Sequence, residues 1–164
     1  MLAVSHTVIG IAIGLAIQDP VLAFGAGLVS HHLADAVPHF DPGSFLLKEP
    51  WRVRLAREFT RRDWIMVAID ALLTIGVLVA AFFLISPSRL FVVGLAVLGA
   101  LLPDLIHNIP FWGLRLRKIG WNRVWQDAIH RRFQWTVDAS QWHIGIGTQL
   151  LTIALCVWYV VSVR

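Results

Sequence analysis

An all-α, polytopic transmembrane bundle is the fold this sequence predicts, with about five membrane helices and amphipathic helices lying at the membrane interface. Three observations carry that expectation. The chain is 57% hydrophobic and only 15% charged over 164 residues, and its mean hydropathy is +0.70. Its apolar residues gather in long runs, and its basic residues fall almost wholly between them. A soluble core of this size would need more polar surface than this composition supplies, so a single membrane domain over 1–164 is expected.

Five apolar segments follow in order, at 2–17, 20–37, 63–86, 88–107 and 140–162. The last three are long enough for a hydrocarbon core of roughly 30 Å. The first has no basic stretch before it and no cleavage site leading to a soluble chain, so it is expected to be retained as a helix. Gln18, Asp19 and Pro20 separate the first two segments. Asp19 suits the N-cap of the second helix and Pro20 its first turn, which makes a tight helical hairpin. Ser86, Pro87 and Ser88 divide the third segment from the fourth. Val37-Pro38 and Asn108-Ile109-Pro110 mark helix ends, because a residue before proline is pushed out of the helical region.

The connections 38–62 and 108–139 hold twelve of the fourteen basic residues, from Lys48 to Arg62 and from Arg115 to Arg132. If all five segments cross, both connections and the N-terminus share one side, and the excess of Lys and Arg makes that side cytoplasmic. Trp51, Leu55 and Phe59 recur at helical spacing, as do Trp121, Val124, Trp125, Ala128 and Phe133; each set predicts an amphipathic helix in the cytoplasmic interface. Seven of the eight tryptophans belong to this side, as an interfacial aromatic belt would place them. A pI near 10.2 then reads as affinity for anionic lipid headgroups and a topology signal, with no nucleic acid implied. The lone Cys156 excludes an intrachain disulfide.

With that topology His6, His31, His32, Asp35, His39, Asp41, Asp104, His107, His130 and His143 all come to cytoplasmic helix ends. His31 and Asp35 are one helical turn apart, the spacing two ligands of one cation need. Pro38 ends that helix and lets His39 and Asp41 turn back toward the same point, while Asp104 and His107 form an i,i+3 pair after Pro103. The C-terminal ends of both helices carry partial negative charge, which favours a cation. Mixed imidazole and carboxylate ligands suit zinc first, then manganese or iron, ahead of calcium or magnesium. One or two divalent ions are expected, held by His6, His31, Asp35, His39, Asp41, Asp104 and His107. A network of histidines and acids joined by hydrogen bonds is the alternative.

Asp70 lies about 10 Å into the third segment at 1.5 Å per residue, where an acid needs a partner. A bridging ligand, a general base or a partner to an arginine are the roles open to it. His130, with Arg131 and Arg132 beside it, suits a phosphate, although a basic face on anionic lipid explains the same residues.

These residues resemble the predicted membrane-bound metal-dependent hydrolases of bacteria and archaea, a family thought to be distantly related to zinc-dependent phospholipases C. The resemblance rests on His6-Thr7-Val8-Ile9-Gly10, on His31-x-x-x-Asp35 followed by Pro38-His39 and Asp41, and on Gly99-Ala100-Leu101-Leu102-Pro103-Asp104 with His107. The family's Pro-Asp-x-Asp-His run has Ile106 where a second acid would stand, and His130-Arg131 only loosely matches its His-Arg motif. A missing ligand of a binuclear site would then come from Asp70 or His143.

The resemblance implies a hydrolase of the inner membrane, working at its cytoplasmic face on a phosphoester or ester of a lipid or lipid-linked substrate. His31, Asp35 and His39 would be the first ligands, and Asp70, His130 and Arg131 the catalytic groups. No serine or cysteine is set beside a histidine in a nucleophile motif. The rival class is a metal-binding membrane protein without hydrolase activity, whether transporter, sensor or adaptor. Transport would need polar residues through the far halves of the third to fifth segments, where no charge stands. A haem protein would need facing histidines without clustered carboxylates.

Overall fold

The computed structural model describes residues 1–40, 61–107, 119–120, 133–137 and 139–163, the side chains of His107 and Ala139 excepted. Among them stand five helices: α1 (Ala3–Ala16), α2 (Pro20–Asp35), α3 (Arg61–Leu84), α4 (Pro87–His107) and α5 (Trp142–Val163). The stretches expected as amphipathic helices, around Trp51 and Trp121, lie outside the described residues.

Three of the five, α3, α4 and α5, are long and apolar enough to cross a membrane. The expected count of about five spans is therefore shown only for these three. α1 has 14 residues and α2 has 16, which at 1.5 Å per residue is about 21 and 24 Å. The apolar run at 20–37 overstated its helix because α2 stops at Asp35; Pro38 bars Val37 from the helical region and releases the chain to pair elsewhere.

α2 begins as its sequence requires. Asp19 Oδ1 accepts from Val21 N at 2.9 Å and Leu22 N at 2.8 Å, and Pro20 occupies the first turn, where its missing N–H costs nothing. α3 is described from Arg61, with Asp63 in its first turn. Its charge still faces the positive end of the helix.

α1 is central: it packs against each of the other four helices, and α4 also packs along α2. The α2–α4 crossing depends on two glycines. A Cβ on Gly27 would come within 2.2 Å of Ala96 O, and one on Gly99 within 2.2 Å of Phe24 O. Small residues permit such backbone approach, which drives helix association in lipid, where apolar burial gains little over contact with acyl chains. Apolar packing at the end of the bundle away from His6 joins Ile11, Ile85, Val93 and Val97.

The outside is apolar. Leu72, Phe82, Phe83, Leu150 and Trp158 are each more than half exposed, as lipid-facing residues are. Ser5, Thr7, His6, His31 and His39 are instead wholly buried. The helices alternate in direction, so the start of α1, the ends of α2 and α4 and the starts of α3 and α5 meet at one end, as the contacts described next require.

Candidate metal centre

His6 lies in the first turns of α1 and His31 and Asp35 in the last turns of α2. His39 follows α2, and Asp104 lies near the end of α4. The fold brings all five together. His6 Nε2 is 3.4 Å from Asp35 Oδ1 and 3.9 Å from Asp104 Oδ2. His31 Nε2 is 3.5 Å from Asp35 Oδ2 and 3.8 Å from Asp104 Oδ1. His39 Nε2 is 3.8 Å from Asp35 Oδ1.

These separations bear on the metal reading of the cluster. An N–H···O hydrogen bond spans about 2.7–3.2 Å, and each of these imidazole–carboxylate contacts is longer. Two ligand atoms on one tetrahedral zinc, each about 2.0–2.1 Å from it, stand about 3.3–3.4 Å apart. The shorter separations match that edge, and the longer ones exceed it by roughly half an ångström. His6, His31 and Asp104 offer ligand atoms within 4.8 Å of one another and could hold a metal ion.

The far sides of two rings fix which nitrogen faces the centre. His31 Nδ1 is 2.9 Å from Ala100 O, and His39 Nδ1 is 2.9 Å from Val37 O. A carbonyl only accepts, so each Nδ1 carries the proton and Nε2 keeps its lone pair toward the carboxylates. Metal-binding histidines are oriented by such outer contacts. His6 is fully buried with neither ring nitrogen in a hydrogen bond. A buried imidazole without such a bond is costly unless a cation takes its lone pair. Its ring stacks on His31, with centroids 4.1 Å apart and planes 21° from parallel.

Charge points the same way. Asp35 and Asp104 bring two carboxylates to the cluster, and the C-terminal ends of α2 and α4 add partial negative charge, which favours a cation. The Met1 ammonium supplies one positive charge, paired with Asp35 Oδ1.

α1 opposes this, because its positive N-terminal end faces the site. Asp70 answers it: its Oδ2 accepts from Ala3 N at 2.8 Å and its Oδ1 from Val4 N at 3.0 Å. The partner the acid needed inside the membrane is thus the start of another helix. Gln149 of α5 completes the arrangement. Its Oε1 accepts from Leu2 N at 2.9 Å, and its Nε2 donates to Phe40 O at 2.6 Å. One amide therefore ties the helix that carries His6 to the segment that carries His39. Thr148 Oγ1 donates to Pro38 O beside it.

The His39 segment is also paired along its main chain. Trp135 N donates to Asp35 O at 2.8 Å, His39 N to Trp135 O at 3.0 Å and Val137 N to His39 O at 2.9 Å, forming a bridge between His39 and Thr136. Gly145 allows this segment to lie on α5, since a Cβ there would come within 2.6 Å of Phe40 N.

Of the expected site residues, His6, His31, Asp35, His39 and Asp104 converge. Asp41, His130 and Arg131 lie outside the described residues, and His107 ends α4 with its side chain outside them. His143 is exposed, with its ring set edge-on to Trp142. Gln149 was not foreseen. Its one signal was an amide in an otherwise apolar run, a group that must find partners in lipid. Compared with protein-family models, curated proteins and solved structures, the chain matches none of them.

Proposed function

We propose that this protein is a membrane-embedded, metal-dependent hydrolase acting on a phosphoester or ester of a lipid or lipid-linked substrate. The observation that carries the reading is the convergence of three imidazole Nε2 atoms on Asp35 and Asp104 at 3.4–3.9 Å. That chemistry stands at one end of helices whose outer faces are apolar. His6, His31, His39, Asp35 and Asp104 would hold a divalent cation, zinc by ligand type. Bound there, the cation would supply Lewis acidity, lowering the pKa of water and offsetting charge on the ester oxygen.

The chain's own groups hold His31 and His39 in one tautomer, through Ala100 O and Val37 O. Asp104, the more open carboxylate with 19% of its side chain exposed, lies on the side from which a headgroup would enter. In the reaction the water oxygen ends on phosphorus or the acyl carbon, the ester bond to the alcohol oxygen breaks, and the alcohol leaves with the water's proton. All five helices lie in the membrane in this reading, α1 and α2 shielded by the longer three. The density of Lys and Arg between segments supports a site on the cytoplasmic side of the inner membrane in this reading.

Purified protein, loaded with zinc and mixed with phospholipid in detergent, should release a water-soluble phosphate product or a fatty acid, and Asp35→Asn should not. Bound metal with no turnover across phosphodiester, phosphomonoester and carboxylic ester lipids would leave a metal-binding membrane protein in place of an enzyme. Orientation is tested in a Cys156→Ser background with Gly43→Cys or Gly120→Cys. Reaction of either with an impermeant thiol reagent in intact cells would put the site outside.

A further inference from the structure

We infer that the centre lies about 10 Å beneath the membrane–water interface and takes as substrate the uncharged acyl ester of a bilayer lipid; this rests on the hydrolase reading above and narrows it. Depth can be measured along two helices. Trp64 of α3 and Trp142 of α5 are exposed, and tryptophans at membrane helix ends sit at the headgroup level. Asp70 of α3 and Gln149 of α5 accept from main-chain N–H groups at the start of α1. At 1.5 Å per residue, Asp70 is about 9 Å below Trp64 and Gln149 about 10 Å below Trp142. Two separate helices thus place the start of α1 at the same depth. The helix lengths agree, since α1 and α2 are about 21 and 24 Å long against about 36 Å for α3 and 33 Å for α5. At the far end a Cβ on Gly14 of α1 would meet the Val93 main chain in the early turns of α4, and Asp19 beyond it is exposed. The shortfall therefore falls at the end that carries His6.

Between the interface and the centre stands protein. The His39 segment packs on Gly145, about 4–5 Å below Trp142, and is paired with residues 135–137. Asp35, His39, Phe40 and Val137 are buried there. Non-helical backbone is tolerated at such depth where it is enclosed in protein and its polar groups are satisfied. Asp104 stays partly open, so a substrate arrives beside α4. The depth then selects the bond. The headgroup layer is about 5–8 Å thick on each side, and a phospholipid's phosphate lies within it. The acyl ester joins glycerol to the chain at the inner edge of that layer, nearer the centre. Bringing an anionic phosphate down would strip its water in hydrocarbon, whereas an uncharged ester carries no such cost. In the step the water oxygen bonds to the acyl carbon, the bond from that carbon to the glycerol oxygen breaks, and that oxygen takes a proton of the water. The products are a fatty acid and a lysolipid.

The whole chain in phosphatidylcholine vesicles tests both parts. In a Cys156→Ser background, spin labels on Ile69→Cys and Leu150→Cys report the levels of Asp70 and Gln149 from exposed positions, by collision with oxygen and with a water-soluble nickel chelate. Both should lie about 10 Å deeper than labels on Trp64→Cys and Trp142→Cys. All four labels at headgroup level would overturn the recess, whatever the activity. With zinc bound, the unlabelled protein should release fatty acid and lysolipid and no phosphate product. Release of a phosphorylated headgroup would overturn the choice of bond and leave the hydrolase reading standing. No turnover of any lipid ester, with metal bound and the labels deep, overturns the hydrolase reading and the substrate with it, while the recess stands.

Discussion

The two ends of the bundle hold the same central helix by different means. Near His6, α1 is tied by main-chain hydrogen bonds to Asp70 of α3 and Gln149 of α5. Near Ile11 it is packed against Ile85, Val93 and Val97 by apolar contact. In lipid the second kind of contact can be exchanged for acyl chains at small cost, whereas an amide or carboxylate stripped of its partner cannot. The apolar end keeps the helices together, and the hydrogen-bonded end keeps the five clustered side chains in register. Substitutions at the two ends should therefore be read out differently, one in stability and the other in metal binding.

The largest effect is expected from Asp35→Asn. It removes a charge from the centre of the cluster while keeping volume, and metal content per mole should fall at least tenfold with helicity unchanged. Full occupancy in that variant would show that the carboxylate is not a ligand.

Gln149→Leu should come next. It leaves Leu2 N and Phe40 O without the amide, at about 1–3 kcal/mol in stability, and should weaken metal binding by roughly threefold to tenfold as His6 and His39 lose their shared tie. Gln149→Glu separates the two ties, because a carboxylate still accepts from Leu2 N but gives nothing to Phe40 O. If metal affinity follows stability alone in both variants, Gln149 has no part in positioning the centre.

At the other end, Val93→Ala should lower stability by about 1–2 kcal/mol in denaturant titration and leave metal affinity unchanged. A loss of metal there would mean that the two ends are mechanically coupled, which would break the contrast.

The smallest effect belongs to Asp63→Asn, on the same end as the centre but in the first turn of α3. Loss of its charge near a helix start should cost about 0.3–1 kcal/mol, with metal content unchanged. Equal metal loss in Asp63→Asn and Asp35→Asn would trace both to folding.

Much of the centre was legible in the sequence because membrane topology is a one-dimensional problem. Once apolar runs alternate across a bilayer, the positions of His6, His31, Asp35, His39 and Asp104 relative to the run ends place them at one end. The i,i+4 spacing of His31 and Asp35 sets those two on one helix face. The α2 start was legible for the same local reason, since Asp19 and Pro20 act on their own neighbours. The lengths of α1 and α2 were less so, because an apolar run does not say where Pro38 will turn the chain aside.

Asp70 and Gln149 show where such reading stops. Both were polar groups that had to find partners in the membrane, yet the partners are main-chain atoms of Leu2, Ala3, Val4 and Phe40, which every sequence possesses and none advertises. Which helices touch is equally silent, since lipid-facing and packed faces of a membrane helix are alike in hydropathy. By itself, then, the sequence determined a helical membrane domain with His6, His31, Asp35, His39 and Asp104 at one end, through run length, charge bias and turn chemistry. Only the tertiary structure decided that α1 is central, that Asp70 and Gln149 hold it there, and that two carboxylates each divide their oxygens between His6 and His31. Those facts depend on distances between helices, and such distances are set by close backbone packing at glycines and by hydrogen bonds between residues far apart in the chain.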